Sequence, residues 1–303
     1  MNRGSDLTVT SSPHFRDDDS VSKIMFNVIL ALIPTLVVGV LHFGLSALLI
    51  IITCCVTALV AEAVSQKVRG VEITISDGSA LVTALLLALS LPPRLPLWVA
   101  VIGTLVAIIL GKQLFGGLGY NYFNPALVGR AFLLAAFPAA MTEWFEPFSF
   151  AATSATPLEG GEAGYAYLFL GNVSGSLGEA SALAVLLGGL YLLYKGYIDW
   201  RIPVGYIGTA FILTAILGGD PVFHVLAGSL LIGAFFYATD MVTTPITRKG
   251  RWIFAIGAGI LLVVIRNYAN YPEGVLFSIL LMNMFVPIID RYTVPAIYGE
   301  VSE

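Results

Sequence analysis

The sequence predicts an all-α, polytopic membrane protein with about ten transmembrane helices, and three observations carry that prediction. Lys, Arg, Asp and Glu make up 11% of the 303 residues, where a soluble domain carries roughly 25%. Hydrophobic residues reach 57%, and mean hydropathy is +0.89. Apolar stretches recur along the whole chain between Gly, Pro or charged residues. Such a chain cannot cover a water-facing surface, which excludes a soluble enzyme and a disordered chain. With 15 basic against 19 acidic residues, it has no basic surplus for nucleic acid.

The stretches run in order as follows. Ile24–Leu41 follows a polar N-terminal tail that lacks an apolar h-region, so no cleaved signal peptide is expected. Leu45–Val64 comes next, and then Gly78–Leu91, which opens after Asp77 and closes at Pro92. At 14 residues it reaches about 21 Å, short of a core about 30 Å thick, and reads as a half-helix or re-entrant piece. Leu95–Leu110 ends on Gly111-Lys112, and Ala126–Met141 begins after Asn124-Pro125. The second set is Ala180–Tyr194, Ile202–Leu217, Val222–Ala238, Trp252–Ile265 and Gly274–Ile289.

Alternating these ten from a cytoplasmic N-terminus puts twelve basic residues inside: Arg3, Arg16, Lys23, Lys67, Arg69, Lys112, Lys195, Arg201, Arg248, Lys249, Arg251 and Arg291. Only Arg94 and Arg266 fall outside, a positive-inside bias that fixes the expected orientation. The expected organisation is a cytoplasmic tail (1–23), a five-helix unit (24–141), an extracytoplasmic loop (142–179), a second five-helix unit (180–290) and a cytoplasmic C-terminal tail (291–303). Thr83-Ala84-Leu85-Leu86-Leu87 is similar to Thr209-Ala210-Phe211-Ile212-Leu213, and Asn121–Pro125 to Asn267–Pro272. Five segments is an odd number, so two such units would be inverted repeats, with ligand sites between them near interrupted helices.

Four places could carry chemistry. Thr153-Ser154-Ala155-Thr156-Pro157-Leu158 is a hydroxyl-rich turn in the outside loop. Small neighbours should leave the Thr156 hydroxyl accessible, either in an ordinary Ser/Thr turn or as an acceptor for covalent modification. No base stands beside it, so it is no self-activated nucleophile. The glycine-rich Gly111–Arg130 segment enters a helix through Asn124 as cap and Pro125 as first helical residue. It is a tight packing turn or, with Asn124 and Arg130, a contact for a ring carbonyl or another subunit. Asp240 and Asp77 border apolar stretches, as ion-path residues or structural ones, Asp77 being equally suited to cap a helix. Cys54 and Cys55 read as small buried hydrophobes or as an iron–sulfur ligand shared with another subunit. Three scattered histidines make no metal site, and His42 and His224 are expected at the outer interface.

Taken together, Ser11-Ser12-Pro13-His14, Ser76–Ala80, Phe123–Phe132, Ser154–Leu158 and Ala238–Thr243 closely resemble the NqrB/RnfD family. Its members are the D-type component of the Rnf complex and the B-type component of the sodium-pumping NADH:quinone reductase. The similarity runs from about Leu7 to Tyr298, and the short N-terminus and Ser-Ala-Thr-Pro-Leu look like the Rnf branch. The resemblance implies FMN bound to Thr156 through a phosphoester, installed outside the cytoplasm by a flavin transferase that reads Thr153, Ser154, Ala155 and Thr156. The family motif usually begins with Asp six residues earlier, where this chain has Phe150. The resemblance also implies a second, noncovalent flavin (riboflavin), partner subunits of the A, B, C, E and G types, and a bacterial or archaeal cytoplasmic membrane. Electrons would pass between ferredoxin and NAD+ through those partners, coupled to Na+ or H+ movement, with no catalysis by this chain alone. The alternative is a small-solute channel or transporter of urea-channel-like architecture, which shares the inverted five-plus-five arrangement. A purely structural scaffold explains neither the loop motif nor Asp240.

Overall fold

The computed structural model describes residues 19–148, 152–153, 156–159, 164–269 and 274–295. Ser11–His14, Phe150, Ser154, Ala155 and the Asn270–Pro272 part of the second Asn motif lie outside the described residues.

All ten apolar stretches are helical, and local sequence explains where each helix starts and stops. Ser20 caps α1 (Val21–Phe43) by accepting from Lys23 N. Gly44, at φ 69°, turns the chain into α2 (Leu45–Arg69). Asp77 accepts from Ser79 N at 2.7 Å and so opens α3 (Ser79–Leu89), which is only 11 residues long. The fourth stretch is α4 (Leu97–Leu105), which widens into a π turn over Val106–Leu110. Asn124 caps α5 (Pro125–Ala136) through Ala126 N and Leu127 N, with Pro125 at the first position.

Two stretches that read as continuous are broken. The fifth stops at Phe137, because Pro138 has no N–H and its ring clashes with the preceding turn, and it restarts as α6 (Pro138–Met141). In the outer loop, α7 (Tyr165–Leu170) precedes α8 (Ala182–Lys195) and α9 (Arg201–Ile216). The eighth stretch then splits at Ala227-Gly228-Ser229. On one side is α10 (Pro221–Leu226), capped by Asp220. On the other is α11 (Leu230–Ile232), running into a second π turn at Gly233–Tyr237. The chain closes with α12 (Arg248–Tyr268) and α13 (Val275–Thr293).

Among the described residues, five helices are long and apolar enough to span a bilayer: Val21–Phe43, Leu45–Arg69, Leu97–Phe115, Arg248–Tyr268 and Val275–Thr293. The others are short or interrupted, which suits a polytopic protein that keeps irregular backbone inside its own core. The pairing of Thr83–Leu87 with Thr209–Leu213 sets the third stretch (α3) against the seventh (α9). Those positions are not equivalent in two five-helix units, so this pairing lends the repeat nothing.

The helices approach closely through small residues, as expected where lipid supplies no hydrophobic drive. A Cβ at Gly188 of α8 would lie 2.0 Å from the Ala31 carbonyl oxygen of α1. One at Gly129 of α5 would lie 2.7 Å from the Gly103 carbonyl oxygen of α4. The α1–α8 crossing joins the N-terminal and C-terminal halves, and α9, α12 and α13 pack together beside it.

Candidate functional site

Three interrupted elements converge between the halves: the start of α3, the start of α5 and the end of the π turn after α11. They line a partly open cavity. Its walls are largely apolar, with Met25, Val28, Leu86, Phe235 and Phe236, and polar groups from Ser79, Asn121, Asn124, Thr239 and Asp240 gather toward one side. A mostly apolar pocket with a few convergent polar groups is the usual form of a small-molecule site.

Hydrogen bonds across the halves hold this cavity in shape. Asn283 of α13 accepts from Asn124 N at 3.3 Å and donates to the Thr243 carbonyl at 2.9 Å. The Asn124 amide donates to the Tyr237 carbonyl at 3.3 Å, while its oxygen caps α5. Asn124 thus ties the two halves together while also lining the cavity, and one of its two amide hydrogens lies beyond these bonds. Asn121 is different. Its amide donates to the Phe123 carbonyl at 3.1 Å, and no described residue donates to its oxygen. At the inner end the Tyr237 hydroxyl donates to the Leu86 carbonyl at 2.7 Å.

Beside the cavity lies a charge network that the sequence did not reveal. Lys112, expected as a loop cation, is 1% exposed, and Glu62 on α2 is 1% exposed as well. The Lys112 ammonium is 2.8 and 2.9 Å from the two Glu62 oxygens and donates to Ser79 Oγ at 2.6 Å. Ser79 Oγ in turn donates to Asp77 at 2.6 Å. Gln113 and Gln66 donate to Glu62 Oε1 at 3.0 and 3.3 Å, and Arg69 donates to the Gln113 side-chain oxygen at 3.1 Å. Paired charges of this kind tolerate burial, where single ones would not. A lone Glu in the apolar Leu45–Val64 stretch was the available signal.

The other expected residues separate in space. Asp240 lines the cavity and organises its own turn, accepting from Val242 N at 3.3 Å and from Thr243 Oγ at 3.2 Å. An acid at this helix end has that local reason to be there. Asp77 meets the cavity only through Ser79. Arg130 is 3% exposed inside the N-terminal half and does not line the cavity. No group of three or more His, Cys, Asp or Glu suited to a metal occurs among the described residues. Cys54 is buried and Cys55 half-buried on α2, and neither forms a disulfide among those residues.

Thr156 stands at the opposite end of the eighth stretch from Asp240. It is 4% exposed, which corrects the expectation of an accessible hydroxyl. Pro157 starts a short helical turn after it, and Leu158 packs against a small apolar cluster of Leu168, Val173 and Ala227 together with Phe223 and Leu226. Thr153 pairs with Trp144 in a two-residue antiparallel ladder nearby.

The profile described as the NQR2, RnfD, RnfE family matches residues 8–299. The chain is 50% identical to the D component of the proton-translocating ferredoxin:NAD(+) oxidoreductase complex of Clostridium ljungdahlii, covering 97% of this chain and 96% of that one. It is 48% identical to the D component of the Na(+)-translocating ferredoxin:NAD(+) oxidoreductase complex of Acetobacterium woodii, covering 97% and 95%. It is 42% identical to the D component of the ion-translocating oxidoreductase complex of Stutzerimonas stutzeri, covering 93% of each chain.

Proposed function

The chain belongs to the NQR2, RnfD, RnfE family, and on that footing we propose that it is the D-type membrane subunit of an ion-translocating ferredoxin:NAD+ oxidoreductase complex, with FMN bound covalently to Thr156. The observation that carries this reading is Ser154-Ala155-Thr156-Pro157-Leu158 in a chain that matches such subunits over 97% of its length. Its partners are subunits of the A, B, C, E and G types, a flavin transferase for maturation and the lipid of a bacterial or archaeal cytoplasmic membrane. Both termini lie inside and the Thr156 loop outside, as the distribution of basic residues supports.

The Thr156 hydroxyl provides the right chemistry for a phosphoester, and Leu158 fastens the loop to the C-terminal half. For a second, noncovalent flavin such as riboflavin, the cavity between the halves is the candidate site. Phe235 and Phe236 supply aromatic walls beside Leu86, and Asn121 lines the same cavity as a polar partner for a ring. Bound flavin supplies the redox chemistry, while the protein supplies position, polarity and hydrogen bonds. Asp240, on the cavity wall, and Asp77, behind Ser79, stand on or near the ion path. The small-solute channel rests on the architecture alone, which is weak ground for a function.

Peptide mass spectrometry and in-gel flavin fluorescence, on protein made with its transferase, test the assignment. An FMN adduct on Thr156, lost in Thr156→Ala, is the expected result. Fluorescence retained by Thr156→Ala would overturn it.

A further inference from the structure

Among the described residues, the walls of the cavity between the halves carry one cation and one acid, Lys112 and Asp240. Lys112 arrives there from the end of the π turn after α4. A Cβ on the preceding Gly111 would lie 2.5 Å from the Ala107 carbonyl oxygen and 3.0 Å from Pro125 Cα, so this turn packs directly on the start of α5. The ammonium has three hydrogens, and three acceptors take them: both Glu62 oxygens and Ser79 Oγ. It is held in place and has no hydrogen to spare for a ligand. The pair is also oriented. Lys112 and Ser79 line the cavity, whereas Glu62 and the two glutamines that bond to it, Gln66 and Gln113, do not. The positive end is thus toward the cavity and the negative end behind it. The opposing charges are Asp240 on the cavity wall and Asp77, one hydrogen bond beyond Ser79.

Resting on the reading of this cavity as a noncovalent flavin site, we propose that Lys112, fixed by Glu62, sets the reduction potential of the ring held there. The ring takes one electron from the ferredoxin side of the complex and gains one negative charge; no covalent bond forms or breaks. A fixed cation on the wall lowers the energy of that charge, and it does so far more strongly in a largely apolar cavity than in water. The oxidised ring is neutral and gains little from the same cation. Lys112 therefore acts on the potential and not on the affinity for the oxidised ring. Glu62 keeps the ammonium charged in spite of its burial and fixes its place.

The test uses the full chain in lipid nanodiscs on a Thr156→Ala background, so that noncovalent flavin alone remains. Riboflavin is the probe; its binding is read by fluorescence and its potential by spectroelectrochemical titration. Glu62→Met with Lys112→Met removes both charges and keeps apolar bulk in their place. This double variant should bind oxidised riboflavin and unfold like the background protein. Its ratio of reduced to oxidised ring at a given potential should be about tenfold lower, a midpoint about 59 mV lower for one electron. Lys112→Met alone should lower the midpoint at least as far, and it decides the matter if the double variant fails to accumulate. A midpoint that is unchanged or raised overturns the proposal and leaves the flavin reading of the cavity standing. Loss of riboflavin binding in step with a lower unfolding temperature also overturns it, because Lys112 would then be structural. Background protein that binds no riboflavin removes the flavin reading itself, and the proposal with it.

Discussion

The two ends of the eighth stretch are held by different forces. At the Asp240 end, charges and amides are matched one to one across several helices: Glu62 with Lys112, Ser79 with Asp77, and Asn283 with Asn124 and Thr243. At the Gly228 end, one leucine fills an apolar socket and one arginine braces it. A buried polar network is an all-or-none structure, because every unpaired member costs desolvation energy. An apolar seat at the surface can open and close for little. The polar network is thus the costlier of the two to break, and the Leu158 contact the cheaper.

Glu62→Ala attacks the fixed end most directly. It leaves the Lys112 ammonium buried beside Ser79 alone, a loss of about 3–5 kcal/mol for a broken buried pair. Detergent-solubilised protein should unfold well below the parent temperature, and Glu62→Met with Lys112→Met should recover most of the loss. If Glu62→Ala unfolds like the parent, the network is not what fixes this end. Asn283→Ala is the next largest, because it orphans Asn124 N and the Thr243 carbonyl at about 1–3 kcal/mol each. It sharpens the comparison if noncovalent flavin falls while the Thr156 adduct persists, read by extraction and by in-gel fluorescence. Equal loss of both would join the two ends.

Asp240→Asn keeps the shape of its turn and removes the charge. Ion translocation per electron should drop at undiminished electron flux in proteoliposomes, and unchanged pumping would remove Asp240 from the ion path. The smallest effect belongs to Asp199, between α8 and α9. Partial burial pushes its carboxyl up, but hydrogen bonds from Arg201 N, Arg251 and the Arg201 side chain outweigh that and hold it below the ordinary carboxylate range. The unfolded chain therefore binds this proton more readily. The stability Asp199 contributes is complete above the unfolded pKa, about 3.9, and is lost as pH falls through the lower folded value. Its removal by Asp199→Ala should lower stability by about 1 kcal/mol at neutral pH and flatten that acid limb in a thermal titration. An unaltered limb would assign the acid loss to other carboxylates.

Much of the fold was legible in the chain. The apolar stretches, the Asn124 cap with Pro125, and the shortness of the third segment follow from local sequence, because helix ends are set by caps, prolines and glycines within a turn. The breaks at Pro138 and Gly228 were partly legible, since an apolar run hides an interruption made by one small residue. The charge network was illegible as a pair. Glu62 and Lys112 are 50 positions apart, and Lys112 beside glycines looks like any cytoplasmic loop lysine.

The sequence by itself determined that this is a membrane protein, where its helices start, and that Thr156 stands in a Ser-Ala-Thr-Pro-Leu motif. These follow from composition and from spacings no longer than a loop. Tertiary structure alone decided that Lys112 is buried against Glu62, that Asn124 bonds across the two halves, and that Thr156 is buried while Leu158 packs against Gly228, 70 residues beyond it in the chain. Each depends on which distant groups meet. Inside a bilayer, where unpaired polar groups find no water, that meeting decides whether a residue is structure or site.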